Sequence, residues 1–303
     1  MEPSLIAENI SKKFGKYSII NELSLQIDKE TVYGLVGLNG AGKTTLLRLL
    51  LGILKPDKGS ISVLGVNPWE HREQMYKKFG VVLDNDGFWG NLTIMENLAI
   101  YGAAKGVTKK DLETYFDEFW SGTPLFKNDK KVKYLSRGQK MQCGLCRAFL
   151  GWPSIFFLDE PALALDMTAY EHLCTMVREA RCRGAIVIIS SHQLDTIDTL
   201  CDRVGILRDN VLMDLPKSNG GNRWVIVTGD TDRSGEILKV NGCSEIVFDH
   251  GWHFTIENPE TGIPHVVKEL VLCGSSVLEV RKESAESSFG ETIRNLYLNP
   301  PVP

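Results

Sequence analysis

One glycine-rich segment of the chain has the residue types and spacing that suit phosphate binding. Residues 37–45 read Gly-Leu-Asn-Gly-Ala-Gly-Lys-Thr-Thr, which matches G-x-x-x-x-G-K-[ST], and they directly follow an apolar run, Val32–Val36. Glycines let backbone N–H groups curl around an oxyanion, Lys43 supplies a positive charge for the outer phosphates, and Thr44 offers a hydroxyl to Mg²⁺. A helix that starts near Thr45 would also turn its N-terminus toward the phosphates. Because strand, loop and helix occur in the required order, we predict a phosphate-binding loop rather than a glycine-rich turn before an ordinary helix.

Two later segments carry polar groups that suit the same chemistry. The apolar run Ile155–Leu158 ends in Asp159 and Glu160. Asp159 could hold Mg²⁺ directly or through a water, and Glu160 could polarise an attacking water as a general base. The segment Leu135–Gln139 offers N–H groups and the Ser136 hydroxyl to a phosphate, although such a segment by itself also fits a simple helix cap.

The elements that position these residues are predicted from periodicity. Short apolar runs alternate with helical patterns over the first two thirds of the chain, which predicts a parallel sheet covered by helices. The predicted buried strands are Val32–Val36, Val81–Leu83, Ile155–Leu158, Ile186–Ile189 and Val204–Leu207. Thr168 and Glu171 form a predicted capping box for a helix that Gly184 stops, and Thr108 and Asp111 form another. The second pair lies in a predicted helical subdomain at about residues 85–150.

The C-terminal third differs in pattern. Turn-forming residues at 216–222 predict a linker, and residues 223–303 then predict a small accessory α+β domain. The predicted strands are Trp224–Thr228, Ser244–Phe248, His253–Glu257 and Ser276–Val280, and the predicted helix is Val266–Leu272. His250 and His253 could be a metal pair, but without a third placed ligand we expect them to be loop and strand residues.

Composition bounds the class of protein. A length of 303 residues suggests about two domains, and 24% charged with 43% hydrophobic residues is typical of a soluble globular chain. A net charge of −4 argues against nonspecific nucleic-acid binding, so no nucleic acid is expected; the basic run Lys127–Lys133 is either a solvated face or a local contact. No apolar stretch approaches the ~18 residues that cross a bilayer, and residues 1–4 begin no signal peptide. The seven cysteines suit a reducing compartment, and Cys143 and Cys146 lie in a helical stretch that favours packing over zinc or redox chemistry.

The order of the motifs over roughly residues 5–215 resembles that of the ATP-binding cassette (ABC) ATPases. The phosphate loop is residues 37–44, the family signature Leu135–Gln139, the magnesium and base strand Ile155–Glu160, the D-loop Ala164–Asp166 and the switch histidine His192. The resemblance implies an α/β P-loop NTPase fold of the ABC ATPase type, with a parallel-sheet core, an antiparallel β subdomain and a helical subdomain. It also implies an ATP-binding domain over residues 1–215, with ATP and Mg²⁺ as cofactors.

The same resemblance implies roles for individual residues. It implies nucleotide contacts for Phe14, Gly37, Asn39, Gly40, Ala41, Gly42, Lys43, Thr44, Thr45, Ser136, Gly138, Gln139 and Asp166. It implies metal ligation by Thr44, Asp159 and Asp84, and catalysis by Lys43, Glu160 and His192. Phe14 would stack on adenine, whereas without the resemblance it would be interpreted as a core residue.

ABC ATPases work as head-to-tail dimers, and the resemblance implies the same homodimer here. The signature of one subunit would close over ATP held by the phosphate loop of the other, so that Ser136 and the N–H of Gly138 meet the γ-phosphate across the interface. ATP binding would then join the two subunits and hydrolysis would loosen them. His192 would contact the γ-phosphate and hold Glu160 and the water in place; without a dimer it would be a capping or packing residue.

Three positions depart from the family pattern. Asp84 stands where a glutamine usually follows the strand, and it could still ligate Mg²⁺ although it is shorter and anionic. Arg137 stands at a usual glycine position of the signature and adds bulk and charge near the dimer seam, while Met141 and Gln142 replace a common Gln-Arg pair. The catalytic set itself is complete, with Lys43, Asp159, Glu160 and His192. We therefore expect ATP hydrolysis.

Two further segments indicate the class of protein assembly to which the ATPase belongs. Phe88–Leu98 resembles the Leu-Thr-x-x-Glu-Asn-Leu stretch of exporters that expel drugs, antibiotics or peptides, and Ser288–Tyr297 loosely resembles the closing helix of that class. This resemblance implies an ATPase subunit, cytoplasmic and peripheral on the inner face of the cell membrane. It would dock on a separate membrane-spanning permease through the helical region after Asp84, and the lack of a spanning stretch in the sequence leads us to expect that partner.

Two alternatives stay open. A soluble ABC ATPase could act as a mechanical switch on ribosomes or DNA, but such relatives carry two cassettes or long coiled coils. This chain has one phosphate loop and no sustained heptads between Lys43 and Ser136. A regulatory nucleotide-binding protein with low turnover is the other alternative, motivated by Asp84 and Arg137.

Overall fold

The computed structural model of the chain describes residues 4–38, 40–83, 87–123, 125, 130–216, 223–229, 234–248, 251–256 and 259–282. The chain divides into two compact units, Met1–Pro216 and Lys217–Pro303. Residues 217–222, where the linker is predicted, lie outside the described ranges, as do Asn39, Asp84, His250 and Ser288–Tyr297.

The first unit contains nine strands, seven α-helices and a short 3-10 helix within the described residues. In chain order they are β1 (Leu5–Phe14), β2 (Tyr17–Ile27), β3 (Val32–Val36), α1 (Lys43–Leu50), β4 (Lys58–Val63), α2 (Arg72–Tyr76), β5 (Phe79–Val82), α3 (Ile94–Lys105), α4 (Lys109–Phe119), the 3-10 helix (Val132–Tyr134), α5 (Arg137–Phe149), β6 (Ile155–Asp159), α6 (Met167–Cys182), β7 (Ile186–Ser190), α7 (Leu194–Leu200), β8 (Arg203–Arg208) and β9 (Val211–Pro216). No helix among the described residues has the length and apolar character needed to span a membrane.

A six-stranded sheet in the order β5-β6-β7-β3-β8-β9 forms the centre of this unit. Its first five strands run parallel, and β9 pairs antiparallel to β8 at one edge. Strands β3, β6 and β7 are buried along their whole length, which suits a sheet covered on both faces. Because the carboxyl ends of parallel strands meet at one edge, the residues that follow these three strands are brought together there.

The parallel core agrees with the sequence prediction, but only β3 has the predicted bounds, and the edge strand β5 differs most from its prediction. The strand predicted at Val81–Leu83 begins two residues earlier, because Phe79 pairs with Ile155 and its ring packs edge-on to that of Phe157 at 5.3 Å. Gly80 makes the start of this strand hard to recognise in the sequence, because glycine is unfavourable inside a strand. A Cβ at Gly80 would lie 2.5 Å from the carbonyl oxygen of Ala148, so close packing explains a glycine inside a strand.

A second, antiparallel sheet has the order β2-β1-β4. Its buried residues, such as Ile10 and Ile20, belong to the same hydrophobic core as Leu46 and Leu47 of α1. β2 also packs against the phosphate loop: a Cβ added at Gly42 would lie only 2.8 Å from the Cγ2 of Ile19. The antiparallel sheet therefore forms one wall beside the loop.

The helical subdomain is built from α3, α4, the 3-10 helix and α5. Capping boxes begin its three α-helices, with Thr93, Thr108 and Ser136 as the N-caps, so the predicted box at Thr108 is confirmed. In α5, Cys143 and Cys146 are both buried, which places them in the core.

The capping box predicted from Thr168 and Glu171 is wrong. Asp166 is the N-cap of α6, and its carboxylate accepts a hydrogen bond from the backbone N–H of Ala169 at 2.8 Å. Thr168 already lies in the first turn, because an aspartate two residues earlier satisfies the same free N–H groups. At the other end, α6 ends at Cys182, and Gly184 follows with a φ of +86°, a left-handed conformation that favours glycine.

The second unit is an α+β domain with a four-stranded antiparallel sheet. Its described elements are β10 (Arg223–Thr228), α8 (Ser234–Val240), β11 (Ser244–Phe248), β12 (Trp252–Thr255), α9 (Pro259–Leu272) and β13 (Val277–Lys282), with the strand order β11-β12-β10-β13. This β-α-β-β-α-β sequence is a split βαβ arrangement of the ferredoxin-like type. Ile226, Leu238, Phe254, Val266 and Leu270 form its fully buried centre.

The predicted α+β elements are present, and only the strand Ser244–Phe248 has the predicted bounds. The strand predicted at His253–Glu257 is β12, which begins one residue earlier, and Glu257 lies outside the described residues. The strand predicted at Ser276–Val280 is β13. The helix predicted from Val266 begins at Pro259. The prediction began too late because Pro264, which lies inside the helix, lacks an N–H and interrupts the helical pattern in the sequence.

Candidate functional site

The phosphate loop connects the buried end of β3 to the first turn of α1. Gly40 and Gly42 have φ values of +84° and +103°, which only glycine adopts without strain. Gly37 is restricted by space instead, since a Cβ there would lie 2.6 Å from the carbonyl oxygen of Leu207. The glycines are thus required by backbone geometry, and they leave the loop's N–H groups free of side-chain cover.

Lys43 turns its amine back over this loop. The Nζ atom donates hydrogen bonds to the carbonyl oxygens of Gly37 at 2.6 Å and Leu38 at 3.3 Å, and the residue is 8% exposed. Both described partners are neutral. A buried ammonium with neutral partners retains a strong attraction for an anion, so the loop suits a phosphate.

Thr44 and Asp159 meet at the edge of the sheet. The Thr44 hydroxyl donates to Oδ2 of Asp159 at 2.8 Å, and the Ser190 hydroxyl donates to the other carboxylate oxygen. A hydroxyl and a carboxylate in contact are the hard oxygen ligands that Mg²⁺ takes beside a phosphate. The residues present therefore fit a magnesium ion.

Glu160, the next residue, is held in an unusual backbone conformation. Its φ is +49°, a region that costs on the order of 1–3 kcal/mol for a residue with a side chain. Its N–H donates to the carbonyl oxygen of Ser190 at 3.1 Å and to the Ser190 hydroxyl at 3.0 Å. These bonds hold the turn that directs the carboxylate toward the phosphate loop rather than along the strand.

His192 lies directly against the Glu160 carboxylate. Its Nδ1 is 2.8 Å from Oε2 of Glu160, and its backbone N–H donates to the same oxygen at 3.4 Å. The side chain of Glu160 is 21% exposed and that of His192 is 51% exposed, so both can be reached from solvent. A carboxylate held by a histidine can accept a proton from water.

Lys43, Thr44, Asp159 and Glu160 face one cavity of about 380 Å³, whereas Ser190 and His192 are not among its lining residues. Its lining residues are Phe14, Ile19, Leu38, Gly40, Gly42, Lys43, Thr44, Thr45, Asp159 and Glu160. Phe14 is 47% exposed at the end of β1, so it is not a core residue, and the amine of Lys12 lies 5.8 Å from the centre of its ring. An exposed aromatic ring and a phosphate loop on one cavity suit a nucleotide.

Other predicted site residues lie elsewhere. Ser136, Gly138, Gln139 and Asp166 do not line this cavity. Ser136 caps α5, with the side chain of Gln139 accepting from the Ser136 N–H at 3.0 Å, and Asp166 caps α6. Ala41 lies in the loop, where its N–H donates to the carbonyl oxygen of Leu38 at 3.1 Å. Asn39 and Asp84 fall outside the described residues.

The signature and the D-loop of the same chain touch each other. Ala164 has a φ of +69°, and a Cβ added at Gly138 would lie 2.3 Å from its carbonyl oxygen. Gly138 is therefore fixed as glycine by a contact inside the chain, in addition to any role toward a nucleotide.

The sequence prediction missed Ser190. It ends β7 and pairs in register with Asp159 of β6, so its hydroxyl can reach both Asp159 and Glu160. The signal was present in the sequence, because a polar residue at the carboxyl end of a neighbouring parallel strand belongs to the same edge.

Comparisons with known proteins agree with this geometry. The family model described as ABC transporter matches residues 20–163. The bacitracin transport ATP-binding protein BcrA of Bacillus licheniformis is 34% identical over 208 residues, covering 68% of this chain and 67% of that protein. The Nod factor export ATP-binding protein I of Burkholderia lata is 33% identical over 202 residues, covering 66% of each chain.

A solved structure, described as the structure of the ATP binding subunit of an ABC transporter, is also similar. It covers 71% of this chain and 91% of its own, with a TM-score of 0.66 at 25% identity. Fold and motifs thus agree with the sequence comparisons, and the chain belongs to the ATP-binding proteins of the ABC transporter family, whose ATPase domain it contains.

Proposed function

We propose that the chain is the ATP-hydrolysing subunit of a membrane exporter, with an ATP-binding domain at residues 1–215 and an accessory domain at 223–303. It works at the cytoplasmic face of the membrane and drives export of a drug, antibiotic or peptide-like substrate through a separate permease subunit. Relatives named for bacitracin transport and Nod factor export support this assignment. The observation that carries it is the hydrogen-bonded series Thr44, Asp159, Ser190, Glu160 and His192 beside the phosphate loop.

The cavity divides into a base end and a phosphate end. Phe14 offers its exposed ring face to adenine, because stacking on an aromatic ring buries both surfaces. The loop N–H groups and the amine of Lys43 then orient the phosphates toward the edge of the sheet. Binding energy is thereby used to place the terminal phosphate near Glu160.

At that edge, Thr44 and Asp159 would hold Mg²⁺, with Asp84 as a third ligand. The ion, when bound, neutralises charge on the phosphate oxygens. Ser190 fixes one oxygen of Asp159 and leaves the other toward Thr44, so the carboxylate is oriented before any ion arrives.

Glu160 orients the attacking water and accepts its proton. His192 holds the carboxylate through Nδ1 and keeps its other ring nitrogen available for the terminal phosphate. The backbone turn at Glu160 fixes the base on a rigid strand end, which keeps it within reach of the phosphate.

Two copies of the chain complete each site in our proposal. Ser136 and Gly138 do not line the cavity of their own chain, although they form the N-terminus of a 13-residue helix. A second chain placed head to tail would bring these groups onto the γ-phosphate, where the helix dipole favours an anion. ATP bound at this interface then holds the two chains together, and its hydrolysis lets them separate.

Steady-state ATPase measurements test this function. Glu160→Gln should lower kcat by about 10²–10⁴-fold, the usual contribution of a general base, while Glu171→Gln on the exposed face of α6 should leave it unchanged. With Mg-ATP, the Glu160→Gln protein should elute as a dimer in size-exclusion chromatography. If the unchanged protein hydrolyses no ATP, even with native membranes present, the chain is a regulatory nucleotide-binding protein instead.

A further inference from the structure

A second cavity lies within the first unit, between the end of α4 and the facing sides of α5 and α6. Its volume is about 600 Å³, which falls inside the range of roughly 300–1,000 Å³ that small-molecule pockets occupy. None of its described lining residues belongs to the nucleotide cavity. The two sites are therefore separate.

The inner end of this cavity is apolar and well packed. Phe149 of α5 and Leu173 and Met176 of α6 line it, and each of these residues is at most 2% exposed. Phe149 also stacks on Phe156 of the central sheet, with the ring centres 4.5 Å apart, so the floor of the cavity is anchored to the core. Such a floor favours a ligand with an apolar body, because that body gains free energy when it leaves water.

One wall of the cavity is an indole ring that is held in place. Trp120 is 2% exposed, and its Nε1 donates to the hydroxyl of Tyr115 at 2.9 Å, which in turn donates to the carbonyl oxygen of Cys146 at 2.9 Å. The centre of the His172 ring lies 4.3 Å from that of Trp120. A fixed aromatic wall favours a planar ring in the ligand, because ring contacts add to the gain from burial and little side-chain freedom is lost.

The outer end of the cavity carries hydrogen-bonding groups. The amide of Gln142 and the hydroxyl of Thr168 line it, and within the described part of the chain neither has a hydrogen-bond partner. Burial lowers the pKa of His172, against the opposing effect of a hydrogen bond to the backbone of Phe119, so the imidazole is neutral at pH 7 and can accept as well as donate. These groups suit a ligand that has a donor and an acceptor on one edge.

The charges around the cavity balance. Asp166 and Lys130 are the two charged residues among its described lining groups, and both are exposed to solvent. A ligand with a net charge would meet no matching field there and would lose hydration against the apolar floor. The lining thus favours an uncharged molecule.

The mouth of the cavity also includes two helix caps that our dimer proposal uses. Gln139, whose side chain accepts from the Ser136 N–H at 3.0 Å, lines the cavity, and so does Asp166, the N-cap of α6. A bound molecule would therefore contact the signature helix and the helix after the D-loop at once. Its affinity then depends on how these two segments are arranged.

We propose that this cavity binds an uncharged, planar heteroaromatic molecule, with its rings on the apolar floor and its polar edge against Gln142, Thr168 and His172. Occupancy is coupled to dimer formation through Gln139 and Asp166. The binding site goes beyond the proposed function, and only the coupling to the dimer rests on it.

Titration with 7-amino-4-methyl-2-quinolone tests the site. This probe is an uncharged planar fluorophore with a lactam N–H and carbonyl on one edge, and its fluorescence anisotropy should show saturable binding of one molecule per nucleotide-free full chain. Ala169→Trp should weaken binding by about tenfold or more, because the added ring occupies a position that lines the cavity. Arg178→Trp, which adds the same ring at an exposed position of α6 outside the cavity, should leave the Kd unchanged.

The polar edge is tested with a second probe, the analogue methylated on the lactam nitrogen. The unchanged protein should prefer the N–H probe by about fivefold or more, and Gln142→Leu should reduce that preference to less than about twofold, because the hydrogen bond is lost from both sides. Titration with a fluorescent ATP analogue shows that each variant is folded. Equal affinities of the unchanged protein for the two probes would show that the polar edge is assigned wrongly.

The coupling has its own measurement in the Glu160→Gln protein. Mg-ATP should change the Kd of the probe by about threefold or more, and the probe should shift the ATP concentration needed for dimer formation in the same direction, as linkage requires. An unchanged Kd in a protein that does dimerise would overturn the coupling and leave the binding site standing.

The remaining outcomes separate this site from the proposed function. Absence of saturable probe binding, or equal binding by Ala169→Trp and the unchanged protein, would overturn the site while the ATPase assignment stands. If Mg-ATP produces no dimer, the proposed dimer and the coupling that rests on it both fail, and the titrations of nucleotide-free protein alone decide whether the cavity binds the probe.

Discussion

Nδ1 of His192 lies 2.8 Å from the carboxylate of Glu160, and the backbone N–H of His192 donates to the same oxygen. The histidine therefore fixes the rotamer of the carboxylate from two directions. Since Glu160 also has a left-handed backbone, its position is determined both along the chain and by its neighbour.

His192→Ala should lower kcat by about 10²–10³-fold with little change in nucleotide affinity, because the base loses its orientation while the phosphate loop is untouched. Steady-state ATPase rates and titration with a fluorescent ATP analogue measure the two effects. His265→Ala, an exposed histidine of the second unit, is the control. Equal losses of affinity and kcat would show that His192 acts in binding rather than in positioning Glu160.

Ser190→Ala should raise the Mg²⁺ concentration needed for half-maximal hydrolysis by about 10–100-fold, because Asp159 loses the hydroxyl that orients it. The half-maximal Mg²⁺ concentration for hydrolysis is the readout. Ser191→Ala removes a similarly buried hydroxyl for which no bond to Asp159 is described, so it should leave the Mg²⁺ requirement unchanged. The idea fails if both variants shift the Mg²⁺ titration alike.

Gly138→Ala should prevent dimer formation without preventing nucleotide binding. The added Cβ would lie 2.3 Å from the carbonyl oxygen of Ala164, so the signature must move away from the D-loop. In the Glu160→Gln background, size-exclusion chromatography with Mg-ATP should show monomers only. Gly122→Ala, where an added Cβ meets no atom within 4 Å, should still give dimers. A dimer of normal stability from Gly138→Ala would mean that this contact is adjustable.

The depressed pKa of Lys105 predicts a pH-dependent stability. The folded state loses the proton near pH 8 and the unfolded state near 10.5, so the cost of burying the charge is full below pH 8 and falls as pH rises to 10.5. Lys105→Met should therefore raise the free energy of unfolding at pH 7 by about 1–2 kcal/mol, at roughly 1.4 kcal/mol per pKa unit less the lost hydrogen bond to Phe79. The gain should shrink between pH 8 and 10.5.

Urea denaturation at several pH values measures this effect, with Lys109→Met at an exposed position of α4 as the control. Comparing the two variants cancels the pH dependence of stability that both share with the unchanged protein. A gain that is constant with pH would show that the pKa of Lys105 is ordinary.

Sequence reasoning found the local parts of this protein and missed the relations between distant segments. The phosphate loop could be predicted because all of its residues lie within nine positions of one another. Ser190 is visible in the sequence as a polar residue at a strand end, but it was missed because its pairing with Asp159 depends on β6 and β7 being neighbours in register.

The same distinction explains the other errors. Phe79 enters β5 because of a ring contact with Phe157, and Gly80 is required by the carbonyl of Ala148. Thr168 and Glu171 fit a capping pattern that Asp166 satisfies first. The local sequence preference did not fix the start of the strand or of the helix in these cases. A tertiary contact decided the first, and a stronger competing N-cap decided the second.

The candidate nucleotide site combines residue 44, residues 159 and 160, and residue 190, which come together only when β3, β6 and β7 lie in register. A nascent chain that stops before β7 would carry the glycine loop but would lack the Ser190 hydroxyl that contacts both Asp159 and Glu160. Ligand occupancy is consequently linked to completion of the sheet. Mg-ATP should protect the whole ATP-binding domain against proteolysis. Deleting any one strand of the sheet should abolish this protection in all of its strands at once.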